Sequence, residues 1–445
     1  MTPDEMITNS GNASWMLVSA ALVLLMTPAL AFFYGGMAGR RSVLNMMMMS
    51  FGALGVVSII WVLWGWSMAY GTQDVGGIFA NPFEMFGLKG AVTDGEGNYI
   101  AGANGYANVI DIGFQLTFAV ISTALISGSI ANRVKFSTWL VFTALWATFA
   151  YMPLAHMVWG GGLLSHSENG LAAMMFGTIV EDDETIAAIA PIDFAGGTVV
   201  HINAGMAGLV LALIIGKSFG FMREAHRPHN LPLVMIGATF LWFGWFGFNG
   251  GSAFAADGVA GLAWLNTTVA TAAAMLGWLL LERIRDGKAT SLGAASGIVA
   301  GLVAITPAAG ALTPVTSIIL GFVGGILACL GVGLKYKFKF DDSLDVVGVH
   351  LVAGLWGTVG IGLLADGSGL FTGGGADGFK LLVVQIVIAL VAVVFTGVVT
   401  AIIAFALKAT MGWRVSEEEE RKGIDSAEHG ETAYDNATPI PTQAR

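Results

Sequence analysis

Eleven apolar stretches, each close to the roughly twenty residues that cross a hydrocarbon core, succeed one another along almost the whole chain. They lie near 14–36, 43–71, 107–131, 136–158, 194–216, 230–250, 258–282, 289–308, 312–335, 346–366 and 379–408. In lipid every backbone polar group has to be satisfied internally, so stretches of this length are expected to be helices. The expectation is an all-α polytopic membrane protein. Charged residues make up only 11% of the chain, against about a quarter in soluble domains. That excludes an ordinary soluble fold and names the lipid bilayer as the surroundings. The net charge of −10 gathers in a few loops and the tail and calls for no nucleic acid. Cys329, the sole cysteine, sits inside an apolar run and excludes an internal disulfide or a cysteine metal cluster. Asp4 and Glu5 stand where a cleaved signal would carry basic residues, so the first stretch reads as a retained helix.

Lysine and arginine orient the spans. The turns after spans one, three, five, seven and nine, with the C-terminal segment, hold eighteen of them, and the opposite loops hold only Lys89 and Lys380. This positive-inside bias predicts a cell-membrane protein with its N-terminus outside and its C-terminus in the cytoplasm. An odd number of spans agrees. The two long outer loops, 72–106 and 159–192, are Gly-rich and acidic and read as a structured, solvated surface.

Two histidines sit inside membrane-length apolar stretches, each preceded by an aspartate at the same interval. One reads Asp193-x7-His201-x-x-Ala-Gly205, the other Asp342-x7-His350-x-x-Ala-Gly354. An ionisable side chain at bilayer depth costs about 2.5 kcal/mol or more and marks a substrate or ion path by default. Span five runs outside to inside and span ten inside to outside. The repeat therefore predicts two inverted five-helix halves, about 14–216 and 230–366, with span eleven as a strap and the site between the halves. The membrane domain would cover 1–412 and a cytoplasmic tail 413–445.

Two imidazoles do not complete a zinc shell, and no carboxylate or thiol accompanies them at ligand spacing, so no metal is expected. A neutral imidazole offers one donor and one acceptor. Edge to edge, His201 and His350 could share a proton and give an apolar pore a polar stepping stone. Asp193 opens span five as an N-cap, and a capping role is expected for Asp342 and above all for Asp345. Aromatic residues gather at the expected outer mouth: Phe114 and Phe118 in span three, Trp159 after span four, and Trp242, Trp245 and Phe248 before Ser252. Trp159 and Ser252 lie among glycines, where close approach matters more than interfacial anchoring. A tryptophan face attracts cations, and a hydroxyl accepts a hydrogen bond from one.

These segments resemble the ammonium transporter/methylammonium permease/Rhesus protein family, on its bacterial ammonium-transporter side. The resemblance rests on Phe33-Tyr34-Gly-Gly, Phe114-Gln-x-x-Phe118, Ala155-His-Met-Val-Trp159-Gly-Gly-Gly, Asp193-Phe-Ala-Gly-Gly-Thr-Val-Val-His201-Ile-Asn, Pro228-His-Asn-Leu-Pro, Gly244-Trp-Phe-Gly-Phe248-Asn249, Thr306-Pro and Asp345-Val-Val-Gly-Val-His350. It implies a homotrimer with one pore per subunit. It implies an outer ammonium-binding site of Trp159, Phe118 and Ser252 supported by Asp193, and a gate of Phe114 or Phe118 with Phe248. His201 and His350 would be the pore's twin histidines. Ammonium would lose its proton and cross as ammonia, with net charge movement. Potassium matches ammonium in size and charge but cannot shed its charge, and desolvating it would cost many kcal/mol. Deprotonation is then the selectivity device.

The tail is a compositional break. Up to Tyr434 it is similar to the family's ordered cytoplasmic tail, which implies docking of a trimeric PII-type signal protein. Residues 435–445, with Pro439 and Pro441, are expected to be disordered. The alternatives are a passive ammonia channel and an ammonium sensor acting through such a partner. No nucleophile–base set or cofactor motif appears, so neither an enzyme nor a cofactor is expected.

Overall fold

The computed structural model describes residues 8–223 and 227–434; the readings of Asp4, Glu5 and 435–445 lie outside the described residues. Among the described residues, eleven helices are long and apolar enough to cross a membrane: α1 Ser10–Met37, α2 Val43–Tyr70, α3 Asn108–Ile130, α4 Phe136–Trp159, α5 Gly197–Ile215, α6 Leu231–Gly251, α7 Gly258–Asp286, α8 Ser291–Ala308, α9 Pro314–Phe338, α10 Val347–Leu364 and α11 Gly375–Thr410. A short helix, α12, spans Glu417–Lys422 in the tail.

Local chemistry sets the ends. The Asn9 side chain accepts from the Asn12 amide at 2.9 Å to start α1, and Thr313 starts α9 with a capping box and Pro314 in its first turn. α7 runs past its apolar stretch through Arg283 and Arg285 and stops at Gly287 in the left-handed region (φ 82°). The loops after α2 and α4 share one face of the bundle, where the Leu163 amide donates to the Gly77 carbonyl at 2.8 Å. The second loop holds an antiparallel hairpin, Thr178–Glu181 with Glu184–Ala187. Its acidic turn, Asp182-Asp183, has φ of 48° and 66°, a hairpin twist that Asp tolerates. The tail lies on the opposite face.

Two relationships position the site. α5 and α10 cross in opposite directions: Gly205 meets Leu351, whereas Gly354 meets His201 and Ile202. α11 straps both. Its Gln385 amide accepts from the Ile192 amide at 2.9 Å and donates to the Ile192 and Thr358 carbonyls, and Thr396 donates to Asn203 Oδ1 at 2.8 Å.

Candidate functional site

Both histidines sit in π-helical turns, Gly197–Ile202 in α5 and Val347–Val352 in α10. Such wide turns often mark functional positions. The two glycines of the repeated motif let these turns touch. A Cβ on Gly205 would lie 2.4 Å from the Leu351 nitrogen, and one on Gly354 would lie 3.1 Å from the His201 Cβ. The consequence is a contact between His201 Nδ1 and His350 Nδ1 at 3.3 Å, with ring centroids 5.4 Å apart and planes 21° apart. Both rings are buried. A hydrogen bond between two Nδ1 atoms needs the proton on one of them, so the rings take opposite tautomers. One Nε2 is then a donor and the other an acceptor. His201 Nε2 has no partner among the described residues.

Asp193 holds the start of α5. Its carboxylate accepts from the amides of Gly196 (3.0 Å), Gly197, Thr198 (3.0 Å) and Val199 (3.3 Å), and from the Thr198 hydroxyl. This satisfies the amides of a first turn with no helical partner. Gly196 takes φ 112°, open to glycine alone at little cost. With its lone pairs so engaged, Asp193 positions the site through its backbone: its carbonyl accepts from Trp159 Nε1 at 2.9 Å.

The counterpart in α10 is Asp342, one of the two expected caps; the preference for Asp345 between them is corrected. Asp342 accepts from the Val346 and Val347 amides at 3.1 and 2.8 Å and from the Ser129 hydroxyl at 2.9 Å. Burial pushes its carboxyl up to about 6, while Lys335 pulls the other way. Asp345 turns aside at φ 67° and pairs with Lys335 at 2.6 Å. The cap thus falls on the aspartate that stands at the repeated Asp-x7-His spacing.

Above the histidines, on the long-loop face, lies a vestibule of about 370 Å³ lined by Trp159, Phe118, Ser252, Gln115, Asp193 and Phe254, among others. Ser252 donates to the Phe248 carbonyl at 2.8 Å, which leaves its oxygen lone pairs for a ligand. Trp159 stands edge-on to Phe118, centroids 6.2 Å apart. Beneath, Phe118 lies over Phe248 with centroids 4.2 Å apart and planes 33° apart. Phe248 in turn lies 6.1 Å from His201. Phe114 does not face Phe248. It packs edge-on behind Phe118 at 4.8 Å and against Phe254 at 5.7 Å, because one helical turn separates it from Phe118.

Trp245 is the residue that mouth-based reasoning misplaced. It stacks on His201 at 5.4 Å, planes 18° apart, and donates to Thr306 Oγ1 at 2.8 Å. The signal was present: Trp245 precedes Phe248 by three residues and therefore shares its helix face. His156, also in the quoted motifs, is tied to the Ala69 carbonyl (3.1 Å) and Asp74 (2.8 Å), away from the pair. Among the described residues no group of three or more His, Cys, Asp or Glu side chains is arranged to hold a metal ion.

A family model described as the Ammonium Transporter Family matches residues 14–434. An ammonium transporter of Mycobacterium tuberculosis is 51% identical over 453 residues, covering 97% of this chain and 91% of its own. One from Aquifex aeolicus is 46% identical over 436 residues, covering 96% and 94%. Among solved structures, a Sensor Amt Protein superposes with a TM-score of 0.82 at 27% identity, over 94% of this chain and 98% of that one. Mep2 of Saccharomyces cerevisiae gives 0.79 at 28% identity, over 99% and 94%. The Mycobacterium tuberculosis and Aquifex aeolicus relatives are named as transporters rather than enzymes, and eleven apolar helices make a multi-pass membrane protein. The chain belongs to the ammonium transporter family.

Proposed function

We propose that the protein recruits ammonium at the vestibule of Trp159, Phe118 and Ser252 on the outer side of the cell membrane. Ammonium gives up its proton there, and ammonia passes the Phe118–Phe248 gate into a pore lined by His201 and His350. The ion's charge is met by aromatic faces and the Ser252 oxygen. Past the gate, the surroundings are rings, and an ion that keeps its charge has no replacement for its water. Ammonia both donates and accepts hydrogen bonds, as does a histidine pair with one donor Nε2 and one acceptor Nε2. The shared Nδ1 proton is a polar bridge along which charge follows, so transport is electrogenic.

The observation that carries this reading is the 3.3 Å approach of the two Nδ1 atoms. The family supplies the substrate class. In this reading each subunit of a homotrimer has its own pore, the C-terminus faces the cytoplasm, and the tail helps dock a trimeric PII-type protein. What supports the tail's part is its order against the bundle. Asp425 accepts from the Asn45 amide at the start of α2, and Glu428 accepts from the Phe136 amide at the start of α4, both at 2.8 Å.

The test is the current evoked by an ammonium pulse on proteoliposomes of the purified protein, with potassium as control. A transient current for ammonium alone is expected. Internal alkalinisation without current would instead make the protein a passive ammonia channel, and an equal potassium current would remove deprotonation as the basis of selectivity.

A further inference from the structure

On the tail face, a cleft of about 330 Å³ opens where the turn between α1 and α2 meets the tail. Arg40 and Arg41 come from the turn; Lys422, Ser426, Thr432 and Tyr434 come from the tail. The two walls are pinned together by backbone. Gly423, at φ 109°, lies so close to Arg41 that a Cβ there would stand 2.2 Å from the Arg41 Cβ, and the Asp425 amide donates to the Arg41 carbonyl at 3.1 Å. The Arg40 guanidinium lies 5.3 Å over the Tyr434 ring, whose hydroxyl meets His229 Nε2 at 2.8 Å.

Basic side chains outnumber acidic ones in the lining of this cleft. Neither arginine makes an ion pair among the described residues, and Lys422 pairs only with Glu418 on the exposed side of its own helix. The acid lining the cleft is Asp425, and its Oδ1 is engaged with the Asn45 amide. There it caps α2 in place of Ser42, whose side chain makes no capping bond. Its Oδ2 is buried without a partner. Arg40, Arg41, Lys422, Ser426 and Thr432 line a space large enough for a tetrahedral oxyanion, with Ser426 Oγ donating to the Gly423 carbonyl at 3.4 Å. Arginine forks match the paired oxygens of phosphate, and such charge-assisted bonds are about twice as strong as neutral ones.

We propose that this cleft binds a phosphate group and that the bound phosphate clamps the tail to the α1–α2 turn. Arg40 follows the end of α1 by three residues, within reach of a lipid headgroup, and the cleft also opens to soluble anions.

The test is hydrogen exchange of 423–434 in the full-length protein. In detergent, inorganic phosphate is expected to slow exchange about ten-fold relative to chloride at equal ionic strength, the scale of one charge-assisted hydrogen bond. Arg40→Gln combined with Arg41→Gln removes the effect, and so does Lys422→Gln from the other wall. All three residues are exposed, so unchanged exchange in α5 and α10 serves as the check on folding. Nanodiscs of phosphatidylglycerol against phosphatidylcholine separate the sources. Slowing in phosphatidylglycerol without added phosphate assigns the cleft to a lipid headgroup; slowing only with added phosphate assigns it to a soluble anion. Exchange that ignores both, or that slows equally in the arginine variant, overturns the proposal.

Discussion

Gly205 lies flat against the backbone of Leu351, so that a single methyl group there would sit 2.4 Å from the Leu351 nitrogen. The histidine contact depends on this approach, since His201 and His350 are carried by the same two turns. Gly205→Ala has to push α5 and α10 apart. Overpacking of this kind costs about 1–3 kcal/mol, and thermal unfolding in detergent should show it together with lost transport. Gly55→Ala, in the exposed part of α2 with no atom within 4 Å, is the matched control and should leave both unchanged.

Asp193→Asn keeps the shape of the cap but turns one acceptor oxygen into an NH2 group facing amide donors. An unsatisfied buried group costs about 1–3 kcal/mol. The start of α5 should loosen, and with it the carbonyl that holds Trp159. The expected outcome is a lower unfolding temperature and reduced uptake, with Asp193→Glu no better because the longer arm misplaces the carboxylate. Uptake at the unaltered level in Asp193→Asn would count against a positioning role.

Trp159→Leu removes an aromatic face from the vestibule. Cation–π attraction is worth about 0.5–2 kcal/mol, so the half-saturating ammonium concentration should rise between about two-fold and thirty-fold. The maximal rate should fall less than that. Ser252→Ala should shift the same quantity in the same direction. Concentration-dependent uptake separates these effects from a general loss of protein.

Trp245→Leu leaves a void beside His201 and removes the donor to the Thr306 hydroxyl, which keeps its own bond to the Leu302 carbonyl. Truncating a buried tryptophan costs about 3–5 kcal/mol where the site cannot collapse. Water gains access to the histidine pair, and selectivity over potassium should weaken. Trp245→Phe, which keeps the stacked ring, should retain selectivity while losing the bond to Thr306. Flux measured for both ions checks the difference.

The spans and their order were legible because hydrophobic length is a direct property of sequence: the expected ends differ from the observed ones by four residues at most. The larger differences have a physical cause. α7 continues to Asp286 because helical hydrogen bonding outlasts the apolar stretch until a left-handed glycine ends it. The histidine pair was legible as a repeat. What was not legible depends on rotation about a helix axis and on contacts between distant segments. Phe114 and Phe118 differ by one turn, and only packing decides which ring meets Phe248. Asp342 and Asp345 are both near the start of α10, and only the φ of 67° at Asp345 sends its side chain to Lys335. The capping of α2 by Asp425 joins residues 380 positions apart, beyond any local signal.

The central claim is that charge crosses through the paired histidines. The most direct measurement is the ammonium-evoked current of His350→Leu proteoliposomes beside the unaltered protein, with internal pH followed in the same vesicles. Leucine fills a similar space and cannot relay a proton. A current at least about ten-fold smaller is expected in the variant, a change the loss of one proton-relaying hydrogen bond can supply. A current equal to that of the unaltered protein would contradict the claim.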